Sequence, residues 1–414
     1  MKIGILTIGN ELMNGRIADI NASFIAREAN QQGWSVEAIM SVGDDFSSIK
    51  NRLDCLLSMT DAVICSGGLG PTSDDITTAA IAEAFGLPLY TDENVLSYIK
   101  DIFTKFNLRW VGNNTKQAMF PQGAEVIPNS KGTAPGFSLP VKGKFIFVIP
   151  GVPAEAKLMV TNGVFPTLRK HFPQNEYAIK QTIKTFGLSE AAVDDRVRDI
   201  DFNSLGVNIG FYPVFPENHI VLISCQKTQE EAQKNLQKAQ DEVLSRLQDY
   251  IFAYGEQTLE EVIAGLLTEK KLTIAVAESC TGGLITNRLT DVSGSSVYLE
   301  RGLVTYSNKA KISMLGVPAA IIEQHGAVSE ETARLMAEGV RKLAGTDLGI
   351  SSTGIAGPTG GSKEKPVGTV YLALADSKQT ICRHYAYRWD RKRNKDMFSE
   401  AALFLLKNYL QGKI

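Results

Sequence analysis

The chain has 414 residues, of which 44% are hydrophobic and 21% charged, with a formal net charge of −2. That length exceeds one ordinary domain, so two or three are expected, and a near-neutral balance gives no electrostatic case for direct nucleic-acid binding. No apolar run reaches the length that spans a bilayer, so no membrane partner is expected. Five scattered cysteines (Cys55, Cys65, Cys225, Cys280, Cys382) without C-x-x-C spacing exclude a disulfide framework and a zinc site, and fit a reducing cytoplasm.

Residues 1–172 alternate strand and helix patterns. KIGILTIG, SVEAIMSVG, DAVICSGG and KFIFVIPG read as strands bounded by glycine, and NASFIAREANQQG and TTAAIAEAFG as helices closed by glycine. The alternation predicts a three-layer α/β domain on a mostly parallel sheet. The opening MKIGILTIGNE is a first strand, not a signal peptide, because Gly9, Asn10 and Glu11 end the apolar stretch.

Gly67-Gly68-Leu69-Gly70-Pro71-Thr72-Ser73-Asp74-Asp75 lies between the strand DAVICS and the helix ITTAAIAEAF. Glycines there let backbone approach a ligand closely, and the N–H groups that follow suit a phosphate. Asp74 and Asp75 serve either as helix caps or as hard oxygen ligands of a divalent metal. Carboxylates beside a phosphate cradle repel the anion unless a metal intervenes, which favours the second role. Glu11 in G-N-E-L and Asp44 in V-G-D-D can join them.

Residues 173–255 change character. Strand, helix, two strands, a Lys/Glu/Gln-rich helix and a last strand give the order βαββαβ, a small α+β domain of split-βαβ or KH-like type. It lacks a G-x-x-G loop and an aromatic RNA-binding motif, so a spacer or dimerisation role is expected, and with it a homodimer.

Residues 256–414 begin with the helix TLEEVIAGLLTEKK and then place AVAESCTGGLITNRLT at a strand–turn–helix junction. Ser279 in that turn exposes its hydroxyl beside the unpaired N–H groups of a helix start, which suit a phosphate or an oxyanion. RGLVTYSNKAK supplies Tyr306, Lys309 and Lys311. A neutral, desolvated lysine can take the proton of a serine hydroxyl, an arrangement that cleaves amides. Cys280 is a rival nucleophile, but no histidine lies nearby in sequence. A second glycine-rich run, SSTGIAGPTGG (Ser351 to Gly361), follows another apolar strand, which predicts one pocket at the carboxyl ends of a sheet.

A-E-S-C-T-G-G, R-G-x-V-T-Y-S-N-x-A-K, G-A-V-S, S-x-T-G-I-A-G-P-x-G-G and P-V-G-T-V-Y together resemble the C-terminal domain of CinA proteins, a family that contains nicotinamide-mononucleotide amidohydrolases. The resemblance implies that Ser279 is the nucleophile and that Tyr306 and Lys311 activate or orient it; Lys309 falls at a variable position. It implies substrate contacts from Cys280, Thr281, Gly282, Gly283, Thr353, Gly354, Gly357 and Gly360, with no cofactor. The family's G-D-R stretch is Trp389-Asp390-Arg391 here, so Trp389 replaces the glycine, and Arg391 is expected to contact a nucleotide phosphate.

T-I-G-N-E-L, D-I-N, V-G-D-D, G-G-L-G-P-T-S-D-D-I-T, N-N-x-K-Q-A, N-x-x-G-T-A-P-G-F and P-G-V-P-x-E resemble the molybdopterin-binding domain family, in the branch found at the N-terminus of CinA. That branch implies a metal-dependent ADP-ribose pyrophosphatase: Gly67, Gly68, Gly70, Thr72, Asn113 and Lys116 on the nucleotide, and a divalent metal ion at Asp74, Asp75, Glu11 and Asp44. The expected protein is therefore a bifunctional hydrolase acting on nicotinamide mononucleotide and ADP-ribose. Its rivals are a single active domain, or a non-catalytic accessory protein that binds molybdopterin or a nucleotide.

Overall fold

The computed structural model describes residues 1–173 and 177–414. The chain forms two compact units, residues 1–179 with 224–233, and residues 180–223 with 234–414. The expected boundary near residue 172 runs into residues 174–176, which lie outside the described residues.

The first unit opens β1 (Lys2–Ile8), α1 (Asn10–Met13), α2 (Ile20–Gln31), β2 (Ser35–Val42), α3 (Phe46–Met59), β3 (Ala62–Ser66) and α4 (Thr77–Phe85). It continues through β4 (Leu89–Thr91), α5 (Glu93–Lys105), β5 (Met119–Pro121), β6 (Glu125–Ile127), β7 (Gly136–Val141), β8 (Lys144–Ile149), α6 (Pro153–Met159) and α7 (Phe165–His171). The main sheet has the order β2-β1-β3-β8-β7-β6. β2, β1, β3 and β8 are parallel, as the strand–helix alternation predicts, while β7 and β6 run antiparallel. The alternating side chains of β1 feed two separate cores. Ile3 and Ile5 join α2, α6 and α7 on one face, and Leu6 and Ile8 join α3 and α4 on the other. Those two cores make the domain three-layered. Sequence patterning passes over β7, whose run GFSLPV carries Gly136 and Pro140.

The middle segment follows the βαββαβ order read from the sequence: β9 (Tyr177–Thr185), α8 (Glu190–Val197), β10 (Val207–Val214), β11 (Glu217–Gln226), α9 (Gln229–Leu247) and β12 (Ile251–Tyr254), with sheet order β10-β11-β9-β12.

The C-terminal segment contains α10 (Leu259–Lys270), β13 (Ile274–Glu278), α11 (Leu284–Thr290), β14 (Leu299–Val304), α12 (Asn308–Leu315), α13 (Ala319–His325) and α14 (Glu330–Ala344). β15 (Leu348–Gly354), β16 (Thr369–Ala375), β17 (Thr380–Ala386) and α15 (Arg391–Leu410) complete it. α10 starts on a capping box, in which Glu261 N–H donates to Thr258 Oγ1 and the Thr258 N–H to Glu261 Oε2. The sheet order is β14-β13-β15-β16-β17, with β14, β13 and β15 parallel. The carboxyl ends of β13 and β15 therefore lie side by side, so the two glycine-rich runs are neighbours. Among the described residues no helix is long and apolar enough to cross a membrane.

The sequence boundary near residue 256 cuts through a shared core. Phe186, Phe252 and Ala253 of the middle segment pack with Leu259, Leu267, Leu405 and Leu406. The buried Lys407 ammonium donates to the Ile251 carbonyl at 2.8 Å. A fragment of residues 256–414 loses about 1.5–3 kcal/mol for each buried phenylalanine removed and leaves Lys407 without that acceptor. It is expected to melt about 10 °C or more below a fragment of residues 180–414. Calorimetry of the two fragments checks this, and equal melting temperatures refute it.

Candidate active site

Ser279 follows β13 directly, and its N–H donates to the Ser352 carbonyl at 3.0 Å, extending the β13–β15 ladder by one rung. Gly282 and Gly283 then take φ of +66° and +96°, a left-handed conformation that side-chain-bearing residues resist. The chain thereby turns sharply into α11, leaving Ser279 at the crest and only 8% exposed.

Lys311, on the first turn of α12, is 1% exposed and places its Nζ 2.9 Å from Ser279 Oγ. The same nitrogen donates to the carbonyls of Thr305 at 2.8 Å and Tyr306 at 3.4 Å. Among the described residues no carboxylate pairs with it. Burial lowers its pKa below the ordinary lysine value. Two N–H donors spent on neutral carbonyls leave the lone pair of a neutral amine for the serine hydroxyl, which is the geometry of a general base. Lys309, in the same first turn of α12, is exposed and takes no part in this contact.

Cys280 is buried, and burial pushes its thiol up to about 12. It has no thiolate to offer at neutral pH, which removes it as the rival nucleophile. Tyr306 contributes its backbone carbonyl to Lys311, whereas its ring is 62% exposed and its phenol oxygen accepts from Arg391 Nη2 at 3.1 Å. Of the two expected partners of Ser279, Lys311 meets it directly, whereas the Tyr306 phenol faces Arg391 and only the Tyr306 carbonyl reaches Lys311. Arg391 Nη1 also donates to the Gly357 carbonyl at 2.6 Å, so Tyr306, Gly357 and Arg391 meet at one edge of the site. Lys395 adds a second cation, its Nζ 3.5 Å from where a Cβ would stand on Gly282.

Glu278 has a role that the sequence reading left unassigned. It is fully buried and accepts from the N–H groups of Gly283 (2.9 Å), Ile285 (3.1 Å) and Thr286 (2.8 Å), and from Thr286 Oγ1 (2.7 Å). The positive end of α11 is therefore already neutralised by a carboxylate, and Gly283 is not free to hold an oxyanion or phosphate. Among the described residues the N–H groups of Cys280 and Thr281 have no acceptor. They are the donors left for an oxyanion. The hydroxyl of Thr281 pairs with Ser352 Oγ at 2.7 Å. Thr353 and Gly354 also depart from expectation. The Thr353 hydroxyl donates to the Ala327 carbonyl at 2.7 Å, and Gly354 is the last residue of β15, paired with Val370. Gly360 is exposed with φ +91°.

In the first unit the carboxyl ends of the parallel strands open into a cavity of about 550 Å³, lined by Glu11, Asp44, Gly67, Gly68, Gly70, Asp74 and Asp75 among others. A Cβ on Gly67 would stand 2.0 Å from the Ile8 carbonyl oxygen, so only glycine fits there. Asp45 caps α3 through the Ser48 N–H at 2.8 Å. Its neighbour Asp44 instead faces the cavity, where burial, and then the charges of Glu11, Asp74 and Asp75, raise its pKa, against the lowering effect of the Asn10 N–H. Thr72 turns away from the cavity and binds both aspartates through its hydroxyl. Lys116 donates to the Thr72 carbonyl at 2.7 Å, and the Asp74 pKa is lowered chiefly by the Thr72 hydroxyl, with a smaller contribution from the Lys116 charge. Asn113 is exposed and does not line the cavity, whereas Gln117 of the same turn does. Among the described residues no three His, Cys, Asp or Glu side chains converge as a ready metal shell. The four expected carboxylates do line this one cavity, and their donors are of the hard-oxygen type that binds Mg²⁺ through one or two carboxylates plus waters and phosphate oxygens.

Comparison with known proteins places three families along the chain. Residues 256–410 match the family described as "CinA C-terminal domain", residues 4–170 "Probable molybdopterin binding domain", and residues 180–253 "Damage-inducible protein CinA KH domain". A CinA-like protein of Syntrophus aciditrophicus is 59% identical over 412 residues, covering 99% of this chain and 98% of its own length. A CinA-like protein of Geobacter sulfurreducens is 42% identical over 410 residues, covering 99% of both chains. The crystal structure of a competence/damage inducible protein from Agrobacterium tumefaciens is 39% identical, covers 37% of this chain and 95% of its own, and superposes with a TM-score of 0.36.

Proposed function

This chain belongs to the CinA family, and we propose that its C-terminal domain is a serine amidase that converts nicotinamide mononucleotide to nicotinate mononucleotide and ammonia. The observation that carries this reading is the 2.9 Å approach of a buried lysine, without a carboxylate partner, to a serine at a strand–helix turn. Ser279 Oγ attacks the carboxamide carbon while Lys311 takes its proton. The N–H groups of Cys280 and Thr281 hold the oxyanion. Lys311 returns the proton to the departing ammonia. Water then adds to the acyl-serine, again with Lys311 as base, and releases the acid. Arg391 and Lys395 supply the positive charge for the substrate phosphate, a role the capped α11 N-terminus leaves to side chains. The reaction needs no cofactor. The test is ammonia release from nicotinamide mononucleotide by the purified full chain, with and without a chelator. No release, or release that a chelator stops, sinks the reading.

A second activity, hydrolysis of ADP-ribose to AMP, is favoured by the crowding of Glu11, Asp74 and Asp75 around Asp44. Asp44 with Asp74 or Asp75 would hold a divalent ion, which supplies positive charge for a diphosphate and an acidified water. The glycine-rich loop brings its backbone close to that anion, and Lys116 steadies the loop. Replacing Asp74 and Asp75 together by asparagine keeps their hydrogen bonds to Thr72 but removes two charges. The double variant is expected to lose AMP release at least about 100-fold, with metal affinity by titration calorimetry falling in parallel and amidase activity unchanged. Unaltered AMP release would leave both aspartates as loop caps.

A further inference from the structure

We propose that the second unit carries a binding site for an organic nitrogen cation, planar or quaternary, in the cavity between the middle segment and the start of α15. The cavity holds about 700 Å³. Its aromatic walls are Phe215 and Tyr250 on one side and Tyr385, Tyr387, Trp389 and Phe404 on the other. Tyr385, Tyr387 and Trp389 are alternate residues of an extended run, so their rings emerge on one face. The two tyrosine rings stack at 5.9 Å with 9° between planes, and Trp389 meets Phe215 edge-on at 5.5 Å.

Charge selects the ligand. Glu190, Glu217 and Asp249 line the cavity, and among the described residues no lysine, arginine or histidine does, although His219 Nε2 meets Glu217 Oε2 at 2.6 Å. A second carboxylate layer stands behind. Glu400 is fully buried, its Oε2 accepting from Arg288 at 2.6 Å while its Oε1 has no partner among the described residues. Burial raises the Glu400 carboxyl to about 7, against the Arg288 charge that lowers it, so this group is only partly ionised at neutral pH. The rim shows what these rings accept. The Arg393 guanidinium stands 5.3 Å over Phe215 and 5.4 Å over Trp389, and that of Arg196 stands 5.0 Å over Tyr250. The Tyr385 and Tyr387 faces carry no such cation among the described residues. An organic cation there gains ring faces and carboxylates together, whereas a phosphate or carboxylate ligand inside the cavity meets the carboxylates of its lining as like charge.

The site differs from that of Ser279, where Arg391 and Lys395 favour an anion. Titration calorimetry of the full chain with N-methylpyridinium, and with neutral N-methyl-2-pyridone of the same size, tests the proposal. The cation is expected to bind one per chain and at least tenfold more tightly than the neutral ring. Trp389→Ala, at a surface-exposed position, and the shape-preserving Glu217→Gln are each expected to weaken it about fivefold or more. Equal affinity for the two probes, no binding of the cation, or full affinity in both variants overturns the proposal. So does unchanged binding in Trp389→Ala together with displacement of the cation by nicotinamide mononucleotide, which would put it at the Ser279 site.

Discussion

Ser279→Ala is expected to lower ammonia release from nicotinamide mononucleotide about 10⁴-fold or more, since removing the nucleophile of a serine hydrolase leaves only binding and oxyanion stabilisation. The fold should not change. Ser279 contributes its N–H to Ser352 and its carbonyl to the Gly282 N–H, and alanine keeps both. Among the described residues its hydroxyl meets only Lys311, which retains two carbonyl acceptors. Circular dichroism and melting temperature should therefore match the wild type while the rate collapses. A variant that keeps near wild-type turnover would show that Ser279 is not the nucleophile. Cys280 would not replace it, because its thiol stays protonated well above neutral pH. The remaining possibility would be direct attack by water.

Lys311→Arg is expected to lose about 10³-fold or more in kcat, although it keeps the positive charge. Arginine stays protonated and cannot accept the serine proton. The wild-type pH profile carries the same point with a definite sign. Lys311 must be neutral to act, and burial lowers its pKa. The rate should rise with pH through that depressed value and then level off, at lower pH than an exposed lysine would allow. The same shift affects stability. The unfolded chain binds this proton more tightly than the folded one, so the contribution of Lys311 to stability also rises with pH across the interval between the two values. Substantial activity in Lys311→Arg, with a flat pH profile, would make the lysine a fixed cation rather than a base. Melting curves of the variant separate this from misfolding, because the larger guanidinium must fit a site that is 1% exposed.

Much of this was written locally in the chain. The alternation of apolar and polar residues gave the strands and helices in their order, because a half-buried element carries its period in its own residues. The serine turn was legible because two successive glycines after an apolar strand permit a sharp entry into a helix, and Lys311 was legible through its place in the N-x-A-K motif. Side-chain direction was not. Tyr306 stands five residues from Lys311 in sequence, but its phenol points to Arg391, 85 residues away. Which of two adjacent aspartates caps a helix and which faces a cavity also depends on long-range packing. Asp45 caps its own helix through Ser47 and Ser48, whereas Asp44 is crowded by Glu11, Asp74 and Asp75.

The sequence by itself determined the three-segment organisation, the parallel strands of the first sheet, and the turn and motif that carry Ser279 and Lys311. Only the tertiary structure decided what each polar group touches. It assigned the α11 N-terminus to Glu278 and the Thr353 hydroxyl to Ala327. It also joined the middle segment to the C-terminal core through Phe186, Phe252 and Lys407. The physical reason is that periodicity and turn chemistry act between near neighbours. The burial that lowers the Lys311 pKa, and the carboxylate that occupies the helix end, arise only when segments distant in the chain exclude water together.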